Sequence, residues 1–245
     1  MTGSRYEVSL QTYETLVKRY NLTDTHPILG KGPVWHSPAE NHKLASLADI
    51  ELNQRGLLNN GQLDPTFVKL LQLLQTSSVE YYTSASISDK ETVIRVTHSQ
   101  REALLSVSTL DSIALFPSHP DMASRDLVAR LPQTPAARLQ SLSCALDDYQ
   151  LVASGKVSTN SNSSLTDARQ INRWLKGPRK SYGWLNVAVR DQWGARKQSK
   201  DSVKWLDTPS GRVMTHLDSK DWLNLSGASP QDIVDKLNQL RAQLT

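Results

Sequence analysis

The stretch AVRDQWGARKQSKDSVKWLDTPSGRVM, residues 188–214, joins strand-like runs through a long basic connection. β-branched and aromatic residues are enriched on both sides of that connection, which is typical of strands. The segment therefore predicts a β-hairpin with a basic tip. The basic residues of this hairpin are Arg190, Arg196, Lys197, Lys200 and Lys204. They indicate either a surface for nucleic acid or a solvated loop.

The same order of elements occurs earlier in the chain. Four strand-like runs and a helix are predicted at 79–86, 92–99, 102–109, 112–117 and 122–131. Their counterparts are predicted at 183–190, 202–208, 212–217 and 221–226, followed by a helix that Ser229 and Pro230 begin. Val93 and Val203 are 110 residues apart, as are Glu102 and Arg212. We therefore expect one domain over residues 1–245 with two similar halves, about 8–135 and 136–245.

Helical spacing predicts the remaining elements. One helix is expected over 8–20, another after Pro38, and a third where Asp64 caps the chain and Pro65 takes the first helical position. Residues 136–152 and 165–175 are expected to pair as helices across a flexible polar loop, about 153–164. The predicted fold class is α+β (mixed α/β), with pseudo-twofold-related halves. A central, largely antiparallel sheet is flanked by helices, with a helical pair in the second half.

The composition is that of a soluble globular protein. Hydrophobic residues make up 38% and charged residues 21%, and the mean hydropathy is -0.46. No apolar run is long enough for a membrane span and no secretory signal is visible, so we expect a cytoplasmic protein without membrane insertion. Residues 1–150 carry 13 basic against 16 acidic residues, or -3, and the rest carry 15 against 8, or +7. This asymmetry indicates a local basic field in the second half.

The chain offers no arrangement of side chains that indicates catalysis. Nucleophile-elbow, phosphate-loop and zinc-protease motifs are absent from the sequence. Cys144 is predicted to be a core thiol in a helix, because no basic residue lies within one turn to lower its pKa. The histidines His26, His36 and His42 lack the spacing of metal ligands. We therefore expect no enzyme, no cofactor and no metal.

Nucleic-acid binding through the hairpin 190–204 is the alternative function. Trp184, Trp193 and Trp205 interleave with its basic residues, and aromatic side chains can stack on bases. No known recognition motif accompanies them, and strand alternation already accounts for the apolar residues Leu185, Val187 and Val189. Nucleic acid is therefore the less favoured partner.

Four stretches in order resemble the EspG family, the cytosolic chaperones of ESX (type VII) secretion systems. The first two stretches are YETLVKRYNL with the later HPIL, and ADIELNQRGLLNNGQLDPTFVKLLQLL. The other two are the meander from VEYYTS to LFP and the stretch quoted above. Their matching positions are Pro27 and Leu29; Gly56, Leu57, Leu63 and Pro65; Val189, Arg190, Asp191, Gly194, Arg196 and Lys197; and Trp205, Asp207, Thr208, Gly211 and Arg212. The resemblance spans roughly residues 8–243.

The resemblance implies a non-catalytic chaperone, and we expect the protein to be a monomer or weak homodimer. It would bind a PE–PPE heterodimer or a similar helical ESX substrate, shield the hydrophobic tip of the PPE helical bundle and keep the substrate soluble for export. The family's binding surface is the sheet with neighbouring loops and the helical bundle. We expect outward contacts on the central hairpins at Arg95, Thr97, Trp205 and Arg212. The flanking contact is expected in the loop of Ile87, Ser88, Asp89, Lys90 and Glu91.

Overall fold

A large antiparallel sheet with helices on both faces forms the protein. The computed structural model describes residues 5–22, 35–156 and 163–244, and all elements below lie there. The helices are α1 (Leu10–Arg19), α2 (Pro38–Gln54), α3 (Pro65–Thr76), α4 (Ala123–Ala129), α5 (Leu146–Ala153), α6 (Ser163–Lys176) and α7 (Pro230–Ala242). A 3-10 turn at Pro120–Met122 precedes α4.

Thirteen strands occur in the described part of the chain. The first seven are β1 (Tyr6–Ser9), β2 (Leu58–Asn59), β3 (Gln62–Leu63), β4 (Val79–Ile87), β5 (Lys90–His98), β6 (Ala103–Ser108) and β7 (Ser112–Ser118). The others are β8 (Leu142–Ala145), β9 (Ser181–Arg190), β10 (Arg196–Gln198), β11 (Val203–Thr208), β12 (Gly211–Leu217) and β13 (Trp222–Gly227). Strands β2 and β3 form a separate small ribbon.

The strand order is symmetric about the pair β4 and β9. It runs β1-β7-β6-β5-β4-β9-β11-β12-β13-β8, with β10 paired to the end of β9, and every neighbouring pair is antiparallel. Each side therefore contains a four-strand meander and one edge strand that precedes helices. The predicted mixed fold with a central antiparallel sheet is confirmed.

Three hydrophobic cores lie between the sheet and the helices. The first packs α4 and α7 against one face of the central strands and contains Trp205, Leu127 and Leu237. The second lies under α1 and α3, and the third under α6, with Phe67 and Ile171 as examples. These last two cores are on the opposite face of the sheet and at its two ends. A strip of the central strands remains between them.

Local sequence signals account for the helix starts. Asp64 accepts a hydrogen bond from the Phe67 backbone N–H at 2.8 Å, and Pro65 follows it. Ser229 and Asp232 form a capping box at the start of α7. Both helices were predicted from these residues.

Two predicted helices begin with a strand instead. Residues 6–9 form β1 before α1. Of the helix predicted at 136–152, residues 136–141 are not helical and residues 142–145 form β8 before α5, so Cys144 lies in a strand rather than in a helix. In both cases the backbone N–H and C=O groups of these residues pair with a neighbouring strand of the sheet, β7 or β13, before the helix begins. The predicted pairing of two helices in the second half is present as α5 and α6.

The offset of 110 residues between the halves is wrong by one residue. His98 pairs with Ala103 in the first half, and Asp207 pairs with Arg212 at the corresponding position of the second half. The offset is therefore 109 on both strands, and it places Ile94 and Val96 in the same core as Val203 and Trp205. Of the loop predicted at 153–164, residues 157–162 lie outside the described part, as do Pro27, Leu29 and His26.

Candidate partner-binding surface

The basic hairpin is ordered by its own backbone and side chains. The Asp191 carboxylate accepts hydrogen bonds from the backbone N–H groups of Trp193 and Ala195, both at 2.9 Å. Gly194 takes a positive φ of 83°, which an L side chain rarely adopts. Asp191 and Gly194 therefore shape the turn between β9 and β10.

A buried glutamate holds the arginines of this hairpin. The Glu80 carboxylate of β4 lies within 3.1 to 3.3 Å of nitrogen atoms of Arg95, Arg190 and Arg196. Glu80 is only 1% exposed. Because Arg190 and Arg196 come from the second half and Glu80 from the first, this cluster joins the two sides of the sheet.

The environment shifts the pKa values of the arginines in this cluster. Burial lowers the pKa of Arg95, and the negative charge of Glu80 partly offsets this effect. Burial alone would lower the pKa of Arg196, but contact with Tyr82 and Glu80 outweighs it, so the pKa is raised. Both guanidinium groups stay charged, because an arginine pKa is far above neutral pH. The positive charges of Arg95 and Arg196 thus form ion pairs with Glu80 inside the protein.

The later pattern of the stretch, W-x-D-T-x-x-G-R over residues 205–212, also has a structural role. Arg212 makes a bidentate pair with Asp207, with distances of 2.6 and 2.9 Å, and donates to the carbonyl oxygen of Pro132 at 2.6 Å. The guanidinium lies 5.0 Å from the ring centroid of Trp205. Gly211 has a φ of 114° and no room for a Cβ beside Ala137. These residues fix the turn between β11 and β12.

Four predicted contact residues are not on the surface. Arg95 and Thr97 are 4% and 0% exposed, and the Arg95 guanidinium donates to a carbonyl oxygen of α3. Trp205 and Arg212 are 0% and 1% exposed and lie on the opposite face. The expectation that these positions point outward is wrong, because helices cover both faces of the sheet at these strands.

The predicted flanking loop is exposed. Ser88 and Asp89 have positive φ values of 49° and 62°, which is the conformation of a two-residue hairpin turn between β4 and β5. Ser88 through Glu91 are exposed and Ile87 is half-buried. The role of this loop in binding stays a prediction.

An open strip of sheet lies between the helices on one face. Ser84, Trp184 and Lys204 are in register across β4, β9 and β11, and Ser86 is in register with Tyr182. We call this strip the central face; it presents Ser84, Ser86, Tyr182, Trp184, Asn186 and Lys204. Trp184 is 42% exposed although it lies in the middle of the sheet. A large aromatic side chain in such a position is available to a partner.

Cationic and aromatic side chains alternate along the central face. The Lys204 ammonium lies 5.5 Å from the Trp184 ring centroid, and Arg179 lies 4.5 Å from that of Tyr182. The two rings meet edge to face at 5.9 Å. Partial burial, and then the charge of Arg179, lower the pKa of Lys204. The surface is therefore basic as well as apolar.

The three tryptophans of the nucleic-acid hypothesis do not share a surface. Trp184 lies on the central face, Trp205 is in the core, and Trp193 is 85% exposed in the turn at the other end of β9. Arg190 and Arg196 are bound to Glu80. A strand of nucleic acid along this hairpin would find neither stacked rings nor free arginines, so the geometry does not favour this function.

The described residues contain little that indicates catalysis. No group of three His, Cys, Asp or Glu side chains in those residues could hold a metal ion. Cys144 is buried, and burial raises the pKa of its thiol to about 11, so the thiolate is scarce at neutral pH. Within residues 5–22, 35–156 and 163–244, each helix is too short or too polar to cross a membrane.

Comparisons of the sequence and of the fold with known proteins point to the same family. The sequence model of the EspG family matches residues 9–239. A solved structure of the Mycobacterium tuberculosis type VII secretion system chaperone EspG5, in complex with a PE25-PPE41 dimer, has a similar fold. The TM-score is 0.73 at 13% identity, with 99% of this chain and 97% of that chain covered. A search of curated proteins finds no match.

Proposed function

Because this chain belongs to the EspG family, we propose that it is a type VII secretion chaperone that binds a PE–PPE-type heterodimer through the central face. It has no catalytic role in this proposal and acts in the cytosol. The observation that carries the proposal is the open strip around Trp184, which two groups of helices border on the same face of the sheet.

The chemistry of the central face suits the tip of a helical bundle. Trp184 and Tyr182 offer apolar area, while Ser84, Asn186 and Lys204 offer polar groups around them. A bundle tip contains exposed apolar side chains and unpaired helix-end carbonyl groups. Docking would remove the apolar side chains from water and thereby keep the substrate soluble. The loop Ile87–Glu91 would contact the side of the same tip.

Co-elution with PE–PPE pairs tests the proposal. The chain should be co-expressed with each PE–PPE pair encoded beside its gene and analysed by size-exclusion chromatography. We expect one pair to co-elute as a stable complex. If neither these pairs nor any other substrate of the same secretion system co-elutes, the proposal is wrong.

Substitution of Trp184 locates the surface. Trp184→Ala should weaken the complex at least about tenfold, since buried tryptophan anchors in interfaces often contribute 2 kcal/mol or more. Trp193→Ala removes another exposed tryptophan at the far end of β9 and should leave the affinity unchanged. Equal affinities of wild type and Trp184→Ala in isothermal titration would place the partner elsewhere.

A further inference from the structure

A basic pocket lies beside the central face, between α6 and the β11–β12 turn. Its volume is about 550 Å³, within the range of pockets that hold small ligands or peptide side chains. Arg169 and Arg173 line it from α6, and Pro209 and Ser210 line it from the turn. Trp174 and Pro178 add apolar surface.

The two arginines are available to a ligand. They are exposed and lie four residues apart, so their side chains are neighbours on one side of α6. Neither makes an ion pair within the described ranges of the chain. Asp167 of the same helix accepts the Ser143 backbone N–H at 3.1 Å. The described residues that line the pocket include no Asp or Glu, so they do not neutralise its positive charge.

The pocket adjoins the central face at the end of the sheet that carries the loop Ile87–Glu91. Ile87, Ser181 and Asp207 are in register across β4, β9 and β11, so the loop and the β11–β12 turn lie at the same end. The segment from Pro178 in the pocket leads directly to Tyr182 on the central face. Arg179 lies over Tyr182 between them. A partner on the central face would therefore reach the pocket with an adjacent segment.

We propose that this pocket binds an acidic peptide segment of the substrate, through carboxylate groups held by Arg169 and Arg173. The proposal rests on the function proposed above and adds a determinant of substrate choice. Arginine binds carboxylates with two parallel hydrogen bonds, and a pair one helical turn apart fits two acidic residues. Trp174 also packs against the core under α6 and is the one aromatic side chain among the described residues that line the pocket, whereas single-stranded nucleic acid is held by several stacked rings. A peptide fits these features better than a nucleic acid does.

Fluorescence anisotropy with a labelled hexaglutamate peptide tests the pocket directly. At about 50 mM salt, where charge-driven binding is strong, wild type should bind the peptide and Arg169→Glu with Arg173→Glu should weaken binding at least tenfold. Arg169→Lys with Arg173→Lys keeps the charge but loses the paired hydrogen bonds, and should weaken binding to a smaller extent. Circular dichroism should show that the variants remain folded.

The matched control is Lys43→Glu with Arg101→Glu. It makes the same change in net charge at exposed positions of the first half, and should keep peptide affinity within twofold. An equal loss of peptide affinity in the control would show that only net charge matters and would overturn the proposed binding site. Tighter binding of a labelled hexathymidylate than of hexaglutamate would overturn the assignment to a peptide.

A second measurement separates this proposal from the chaperone function. If a PE–PPE pair binds wild type and the Arg169→Glu, Arg173→Glu variant equally, the chaperone function stands and the role of the pocket in substrate choice is wrong. If no PE–PPE pair binds but hexaglutamate binding depends on the two arginines, the pocket stands as an acidic-peptide site and the chaperone function fails.

Discussion

The buried Glu80 carboxylate binds arginines that make the hairpin 190–204 basic in the sequence. Three arginines surround it, and two of them belong to the hairpin that first indicated nucleic acid. A buried carboxylate without partners is strongly disfavoured, so the arginines are needed for folding whatever the protein binds. The charge of a hairpin in the sequence therefore does not measure the charge on the surface.

We predict that Glu80→Gln destabilises the protein by about 3–5 kcal/mol. The substitution leaves the buried Arg95 guanidinium without a counter-charge, and breaking a buried ion pair has a cost of this size. The measurement is the free energy of unfolding in urea at neutral pH. Glu7→Gln is the matched control, because the Arg5–Glu7 pair is on the surface and worth about 1 kcal/mol or less. Similar losses for the two variants would contradict the structural role of Glu80.

The sequence pattern singled out residues that shape turns in the structure, but not those that face a partner. Asp191 and Gly194 act within a few residues of themselves, so a local pattern could contain them, although their role in the turn is seen only in the structure. Arg95 and Trp205 were expected at outward positions of the central hairpins, but strand alternation shows only which residues share a face. Alternation does not show which face a distant helix covers. The exposure of Trp184 could be predicted only by knowing that α3 and α6 leave the central strands of the sheet uncovered on that face.

Element starts were predictable where a capping residue marks them. Asp64 with Pro65 and Ser229 with Asp232 give α3 and α7 their first turns. Strand β1 was missed because it continues directly into α1, and the apolar residues Val8 and Leu10 fit both strand and helix spacing. Pairing of β1 with β7 involves contacts about 100 residues apart, which a local pattern cannot contain.

The junction of β1 and α1 is held to α2 by Glu51. Its carboxylate accepts hydrogen bonds from the Ser9 backbone N–H at 2.8 Å and from the hydroxyls of Ser9 and Thr12, both at 2.6 Å. Burial acts to raise the pKa of Glu51, but these hydrogen bonds outweigh it and lower the pKa below the ordinary value of 4.5. The ionised form is therefore favoured by the folded state.

This shift predicts a pH-dependent contribution to stability. A lowered folded-state pKa stabilises the protein above the unfolded-state pKa, and the effect is lost as pH falls through the folded-state pKa. Glu51→Gln should therefore cost about 1–3 kcal/mol at pH 7, and the difference from wild type should shrink at acidic pH. Urea unfolding at a series of pH values measures it. Glu14→Gln in α1 is the control, and a difference for Glu51→Gln that is constant with pH would contradict the prediction.

In the whole molecule, the two halves are joined by strand pairing and by a common hydrophobic core. Nine register pairs join β4 to β9, and the core under α4 and α7 combines residues from both sides, such as Tyr81 and Trp205. One face of the central strands is open, and the other face is covered by a core to which both halves contribute. A binding surface at the junction therefore requires both halves.

We predict that neither half folds when expressed alone. Fragments 1–135 and 136–245 would each expose β4 or β9 as a long, unpaired and largely apolar edge strand, which promotes aggregation. Co-expression of the two fragments should restore a soluble complex, because the β4–β9 pairing and the shared core need no covalent link between them. Size-exclusion chromatography and circular dichroism of the separate and co-expressed fragments measure this. A single fragment that is monomeric and unfolds cooperatively on heating would show that the chain contains two domains rather than one, and the central face would then be an interface between domains.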